Sequence, residues 1–594
     1  MNESANKAKN RKVVVIGGGP AGLTASYQLS KAGVESIVLE KDQTVGGISR
    51  TVNYRDYHFD IGGHRFFTKI DQVDKMWRDI LDDDFLECER LSRIYYDKKF
   101  FYYPLRPFNA LLGLGLWNGV LILGSYLRSR LIPSRPEETF DQWVSNRFGR
   151  RLYQTFFKTY TEKVWGIPSN EIRAEWAAQR IKGLSLITAI IDSLMKSRNH
   201  SKGKQPVIKT LADQFYYPKL GPGMMWRVVA EKIQSNNSEI RLDTGVTRIL
   251  WSGNRVEAVE VERDGKLERI SGTDFISSMP LREVIQKISP PVPKEILDAA
   301  NNLHYRDFLT VALIINKDDV FPDNWIYIHD PEVKVGRIQN FKNWSPYMVP
   351  DQSKTCLGLE YFCFENDSLW SMPDKELIHL GVREIEILGF ASQAEVMDGT
   401  VVRMPKAYPV YDSKYRDSVA AIRDYLDRFD NLHLIGRNGQ HKYNNQDHSM
   451  LTAMMAAENV LGANHDLWEV NEETEYHEEI TLKPLMHTFG RIDQLGFATA
   501  LGSVSGLLIF VATLFLVIKG GEVIGPNLRL LDQYFFGYSV TLKGAFIGAA
   551  YSFSWAFILG WLVAYLRNFF VGFFIYRVKR RAEMLSFKDF LDHF

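Results

Sequence analysis

The chain has 594 residues, too many for one hydrophobic core, so at least two domains are expected. Charged residues make up 24% and the formal net charge is +1; without a basic stripe there is no footprint for nucleic acid. The cysteines Cys88, Cys356 and Cys363 form no C-x-x-C pair and no metal spacing with histidines, which argues against a disulfide scaffold or a metal site and for a reducing compartment.

Residues 1–11 are a polar tail without the apolar run of a signal peptide. The organising stretch follows, Val13 to Glu40. An apolar strand, Val13–Ile16, enters a turn with Gly17, Gly19 and Gly22 in G-x-G-x-x-G spacing, then an amphipathic helix, then a second strand ending on Glu40. The glycines suit a tight turn, close backbone approach to a pyrophosphate, and close packing of helix on strand. Pro20 and Ala21 open the helix, whose N-terminus offers free N–H groups and a positive dipole end to phosphates. Glu40, with Lys41 after it, is placed to accept hydrogen bonds from an adenosine ribose.

Next come Gly46, Gly47, Ser49 and Arg50, a second phosphate-contacting loop that a plain NAD domain does not need and an FAD domain of the amine oxidase type has. The segment FDIGGHRFF brings Gly62 and Gly63, suited to a backbone passing close to a flat ring, and His64. Strands are expected at 94–96 and 100–103 around a turn at Lys98 and Lys99. Residues 108–132 are apolar enough for a substrate-domain helix or, in a sharper reading, one that dips into a bilayer. Residues 137–200 read as helical throughout, with Trp143, Phe148, Tyr153, Phe156 and Phe157 on one face. Residues 239–280 alternate as strands, the last returning into the nucleotide-binding sheet at Ser277-Ser278-Met279-Pro280. Residues 305–365 are strand-rich, and helices are expected near 375–395 and 413–428. A second strand–turn–helix unit, aimed at a ligand, contains Gly436, Arg437, Asn445, Gln446 and Asp447.

The end of the chain differs. Gly496–Ile518 and Gly544–Leu566 are uncharged and each long enough for a bilayer core, which takes about 20 residues. Gly544 and Gly548 have the G-x-x-x-G spacing of closely packed helices. Arg567, Arg577, Lys579, Arg580 and Arg581 follow the second span, which predicts a cytoplasmic tail and hence a cytoplasmic main domain. The expected division is a tail at 1–11, a dinucleotide domain at 12–465 with a substrate domain inserted at roughly 68–210 and 300–410, a linker at 466–494, and a membrane hairpin with its basic tail at 495–594.

With these motifs in view, residues 11–465 resemble the UDP-galactopyranose mutases, within the wider amine oxidase and protoporphyrinogen oxidase group of flavoproteins. The resemblance rests on FDIGGHRFF, EKVWGIPSNEIRAEWAAQRI, GRIQNFKNWSPY, the Tyr408-Pro409 pair and GRNGQHKYNNQDHS. It implies an α/β fold with a Rossmann-like FAD domain of the glutathione reductase type, an inserted α+β substrate domain and, here, a C-terminal transmembrane hairpin. It implies FAD as cofactor, reduced when active, with an external reductant such as NAD(P)H, and held by Gly17, Gly19, Pro20, Ala21, Gly22, Glu40, Lys41, Gly47, Ser49, Arg50, Gly62, Gly63, His64, Gly436, Arg437, Asn445, Gln446 and Asp447. It implies that His64, Arg180, Arg337, Arg437, Tyr408, Tyr443 and Asn445 serve catalysis, and that Trp165, Arg180, Arg337, Tyr408 and Tyr443 bind a UDP-linked sugar. The implied reaction is pyranose-to-furanose isomerisation by covalent flavin catalysis without net redox, in polysaccharide biosynthesis at the cytoplasmic membrane. The alternative is a membrane-bound FAD oxidoreductase of the protoporphyrinogen oxidase, amine oxidase or desaturase type acting on a lipophilic substrate, which the apolar 108–132 run and the membrane hairpin favour. A third is a flavin domain kept as a binding module without activity.

Overall fold

The computed structural model describes residues 11–102, 113–172, 174, 214–263, 265–471, 493–520 and 525–592, with side chains left out at 116 and beyond 571. The chain divides into two compact units, Met1–Glu478 with Leu585–Phe594, and Glu479–Met584.

In the first unit the strand Lys12–Ile16 lies at the centre of a five-stranded parallel sheet. The strand order is Leu432–Leu434, Asp274–Ser277, Lys12–Ile16, Glu35–Leu39, Glu239–Arg241. Its run of valines is buried on both faces, as parallel strands require. Val13 and Val15 face the helices Pro20–Lys31 and Gln446–Val460, whose alanines (Ala21, Ala25, Ala453, Ala456, Ala457) let the helices lie close. Val14 and Ile16 face the other way, towards a four-stranded sheet built from Gly245–Ser252, Arg255–Arg263, Lys266–Ser271 and Ile288–Ser289, and towards the helices Leu281–Lys287 and Tyr415–Leu426. The result is a Rossmann-like layered domain, with the expected return strand at Asp274–Ser277 seated between the first strand and Leu432–Leu434.

The second sheet has seven strands in the order Val396–Pro409, Tyr305–Ile315, Thr355–Cys363, Arg337–Asn340, Trp325–Ile328, Ser92–Tyr96, Lys99–Tyr102. All neighbours are antiparallel except Trp325–Ile328 with Ser92–Tyr96. Every residue of Tyr305–Ile315 is buried. Strand alternation divides the faces. Leu309, Val311, Leu313, Leu357 and Leu359 pack with Leu377 and Ile385 of the helix Asp374–Ile387. Phe308, Ala312, Trp325, Tyr327 and Phe362 turn to the opposite face, with the helical aromatics Trp143, Phe148, Tyr153, Phe156, Phe157 and Trp165. The hairpin expected near 94–103 is present, but its turn is at Asp97 and Lys98, not Lys98 and Lys99; both have positive φ (50° and 56°), which a two-residue loop needs to match strand twist.

Residues 137–200 are not helical throughout. The helix Phe140–Phe148 stops at Gly149, and a run from Arg150 through a π-type turn at Tyr153–Lys158 to Trp165 stops at Gly166, which takes the left-handed conformation before Ile167-Pro168. The run is clamped to the sheet by two cations. Arg306 donates to the carbonyls of Val164 and Phe362 through 2.9 Å bonds and to Lys163 at 3.2 Å, capping the helix end. Lys163 Nζ donates to the carbonyls of Asp330 at 2.5 Å and of Ile328 and Val335 at 3.3 Å; burial pulls its pKa down to about 8. The remainder expected to be helical, 175–200, lies outside the described residues, as does most of the 466–494 linker.

The second unit holds the helix Gln494–Lys519 and the helix Leu542–Asp592 as far as Met584. Two stretches, Gln494–Lys519 and Leu542–Val571, are long and apolar enough to cross a membrane. The second helix continues past 566 through the basic residues, so the tail is helical rather than a separate coil. The close contact between the helices involves one glycine of the expected pair, Gly548, together with Gly502 and Gly506. A Cβ on Gly502 would sit 3.0 Å from the Phe553 carbonyl oxygen, and one on Gly506 3.0 Å from that of Ala549. Gly548 does meet Ile509 and the Tyr538 ring, but Gly544 meets only the backbone of Ser539 just before its own helix.

Candidate active site

A cavity of about 340 Å³ opens at the carboxyl ends of the parallel strands, where open α/β sheets bind ligands. Gly17, Gly19, Pro20, Ala21, Glu40, Lys41, Gly47, Ser49, Arg50, His64, Gly436, Arg437 and Gln446 line it. The two glycine loops face each other: a Cβ on Gly47 would lie 3.2 Å from the Gly19 Cα. Gly17 has φ 102° and lies against Ser278, whose Oγ a Cβ there would meet at 2.2 Å, so only glycine fits. Glu40 is buried; its Oε2 accepts from Gly18 N at 2.6 Å and its Oε1 from Asp42 N at 2.9 Å, while burial raises its pKa. The carboxylate is thus held rigidly, with further lone pairs on each oxygen.

Five of the expected cofactor residues do not line this cavity. Gly22 is a packing glycine, since a Cβ there would strike the Gly17 carbonyl oxygen at 1.9 Å. Gly62 has φ 93°, and Gly63 presses on Gln339. Asn445 caps the helix Gln446–Val460 in a reciprocal arrangement with His448. Asp447 is buried and accepts from Thr68 Oγ1 at 2.9 Å. The lining also includes residues that motif spacing does not reveal. Among them are Lys287, tied to the Val246 carbonyl at 2.7 Å, and Lys406, paired with Glu283 at 3.0 Å.

Beside the cavity the seven-stranded sheet presents a polar row. Register places Tyr327 opposite Arg337, Arg337 opposite Glu360 and Glu360 opposite Thr310. Arg337 Nε donates to Glu360 Oε2 at 2.5 Å, and Gln339 Nε2 donates to Glu360 Oε1 at 2.7 Å; all three side chains are buried. Burial opposes the Arg337 charge, but Glu360 outweighs it and holds the guanidinium firmly protonated. Glu360 was not visible as a site residue in the sequence. Its only signal is register, which sets it opposite Arg337 from the next strand along the chain.

Arg437 reaches the same place from the other side. Its Nε donates to the Asn444 carbonyl at 2.9 Å and its Nη1 to the Ala407 carbonyl at 3.1 Å. Its guanidinium carbon lies 5.3 Å from the Tyr408 ring centre and 4.9 Å from that of Tyr443, two rings stacked at 5.8 Å. Burial raises the Tyr408 pKa further above its ordinary value, with Tyr443 adding to it and Arg337 and Arg437 partly opposing. Burial, then Arg437 and Arg337, push the His64 pKa down to about 3, so its ring is neutral near pH 7. His64, Arg337, Arg437, Tyr408 and Tyr443 therefore share one electrostatic neighbourhood. Trp165 is buried in the aromatic cluster that also contains Tyr443, with Tyr408 packed against it. Arg180 lies outside the described residues.

Residues 15–82 match the NAD(P)-binding Rossmann-like domain family. The chain is 30% identical over 345 residues to a 4,4'-diapophytoene desaturase (4,4'-diapolycopene-forming) of a Methylomonas species, a match covering 53% of this chain and 62% of that protein. A probable flavin-containing monoamine oxidase A of Dictyostelium discoideum is 45% identical over 51 residues, 9% of this chain and 11% of the relative. The chain thus spans less than two thirds of these relatives' own lengths. Among solved structures, reduced UDP-galactopyranose mutase superposes with a TM-score of 0.66 at 20% identity, over 78% of this chain and 98% of that one. The chain therefore has the fold of reduced UDP-galactopyranose mutase, with a Rossmann-like NAD(P)-binding domain at residues 15–82.

Proposed function

We propose that the chain is an FAD enzyme of the UDP-galactopyranose mutase type, isomerising a UDP-linked sugar from pyranose to furanose for glycan assembly at a membrane. The observation that carries this reading is the convergence of Arg337, Arg437, Tyr408 and Tyr443 beside the dinucleotide cavity. A flat apolar substrate has no use for a buried guanidinium, Arg337, beside a half-buried one, Arg437, whereas a departing diphosphate does. The lining suits a dinucleotide: both glycine loops contribute to it, touching at Gly19 and Gly47, and a carboxylate, Glu40, follows the second strand. Gly17, Gly19, Glu40, Gly47, Ser49 and Arg50 would hold FAD there. Bound there in its reduced form, the flavin would supply covalent catalysis at the anomeric carbon without net redox.

The protein's share is electrostatic. Carbonyls fix Arg437 and a carboxylate fixes Arg337 before substrate arrives, so neither guanidinium must reorganise as charge grows on the phosphates. Tyr408 keeps its proton and can donate it in a hydrogen bond to a phosphate oxygen. His64 stays neutral and adds no charge of its own. The basic residues after the second span support a cytoplasmic position for this unit.

The test is UDP binding by the purified full chain. Arg337→Lys and Arg437→Ala should each weaken it by about ten- to hundredfold, the scale of a charge-assisted hydrogen bond. UDP binding at parental affinity in both variants removes the mutase reading. Dithionite-reduced protein should also interconvert UDP-galactofuranose and UDP-galactopyranose. A second reading, a flavin oxidoreductase acting on a lipophilic substrate, draws on the desaturase match. It calls for anaerobic bleaching of the flavin by a polyene precursor.

A further inference from the structure

The helix Leu116–Leu131 carries an apolar face that the fold leaves uncovered. Trp117 (73% exposed), Val120 (61%), Leu123, Leu127 and Leu131 (82%) recur at helical spacing and form one stripe. The opposite face does the packing: Ile122 and Tyr126 are buried, and a Cβ on Gly149 would touch the Tyr126 backbone at 2.7 Å, so this glycine lets the helix sit tight. Core packing therefore does not explain the stripe. Around it the charge is positive. Arg128 and Arg130 flank the stripe on either side of its C-terminal end, and neither has an ion pair among the described residues. Beyond it an open pocket of about 890 Å³ is lined by Arg130, Arg135 and Arg147, with Glu137 bonded to Arg147 as the acid among its lining residues.

We propose that this helix lies in the headgroup–acyl boundary of an anionic bilayer, with the stripe facing the acyl chains and the arginine pocket taking phospholipid headgroups. Apolar side chains on one face and cations on its flanks are the arrangement of an interfacial helix, the arginine stems snorkelling to the phosphates. The occupant is argued from the chain itself. Its second unit carries two helices long and apolar enough to span a bilayer, and a bilayer they crossed would be tethered to this domain. The pocket's excess of guanidiniums complements anionic lipid, not a neutral protein face. The inference needs no assumption about the reaction.

The test uses the full chain in lipid nanodiscs. Cys88, Cys356 and Cys363 are buried, so an environment-sensitive fluorophore attaches selectively to Val120→Cys or Leu127→Cys, with Met397→Cys, 55% exposed on the other sheet edge, as the control. Unchanged circular dichroism and thermal unfolding establish that the variants fold. The expected result is a blue-shifted emission quenched by doxyl-labelled lipid at 120 and 127 but not at 397, stronger with phosphatidylglycerol present. Arg130→Glu with Arg135→Glu should remove that lipid dependence. Quenching by aqueous iodide at 120 and 127 equal to that at 397 overturns the proposal. Shielding from both quenchers overturns it too, since it marks a protein surface, such as a second copy, on the stripe.

Discussion

Asp60 offers the sharpest test of the fold's energetics. It ends the strand Tyr57–Asp60, where Oδ1 accepts from Thr51 Oγ1 at 2.7 Å and Oδ2 from Tyr217 at 2.5 Å. Thr51 Oγ1 in turn accepts from Gly223 N at 3.0 Å, so one carboxyl joins the hairpin beside the cavity to a distant strand and helix. Burial raises its pKa from 3.8 to about 7, the two hydroxyl bonds pulling the other way. A carboxyl whose pKa is higher in the folded than in the unfolded state favours folding fully below the unfolded value. That contribution is lost as pH rises towards the folded value, here between about 4 and 7. Three units correspond to roughly 4 kcal/mol. In Asp60→Asn the amide mimics the protonated acid, accepting from Thr51 and donating to the Tyr217 oxygen. The variant should therefore gain on the parent as pH rises from about 4 to about 8, by up to roughly 4 kcal/mol. At about 2 cal/mol/K of unfolding entropy per residue, for a unit of this size that is about 4 °C in Tm. Calorimetric scans of both proteins across this range give the difference directly. Parallel pH curves would refute the argument that Asp60 is buried against its charge.

Other substitutions probe separate links. Glu360→Ala leaves Arg337 charged and unpaired inside the sheet and should destabilise by about 3–5 kcal/mol in denaturant titrations, with Glu360→Gln milder because it keeps part of the hydrogen bonding. Gly22→Ala puts a methyl 1.9 Å from the Gly17 oxygen, so the turn must open and the purified protein should lose its visible flavin absorbance; a fully flavinated variant contradicts the assignment of the cleft. Gly506→Leu overpacks the contact with Ala549 and should lower the unfolding free energy in detergent by about 1–3 kcal/mol, whereas Gly544→Ala, facing no partner helix, bears only on its own helix start.

Much of this architecture could be read from residue order because its signals are local. Gly17, Gly19 and Glu40 belong to one turn and the strand beside it, and the backbone reasons for them travel with the spacing. Asp274–Ser277 and Gly436 were recognisable for the same reason: an apolar strand ending in small residues. Legibility failed where the meaning of a residue is set by what lies across a sheet. Glu360 looks like any acid in a strand until register brings it opposite Arg337. Asp60 was read only through the glycines that follow it. Asn445 was read as a ligand, and its place at the N-terminus of the helix Gln446–Val460, which Asn favours, was not drawn from the sequence. In the membrane-type hairpin, both G-x-x-x-G pairs were equally visible, and only helix rotation decides that Gly502 and Gly506 face the partner.

Arg437 is more than a cation near two phenols. It starts from the end of the parallel sheet, yet is fastened to the Ala407 carbonyl in the seven-stranded sheet, and its neighbour Asn438 is fastened to the Lys406 carbonyl at 2.9 Å. These two adjacent side chains rivet one sheet to the other at the mouth of the cavity. A hinge motion between the sheets would have to break both hydrogen bonds together, a cost added to any rigid-body opening of the cleft.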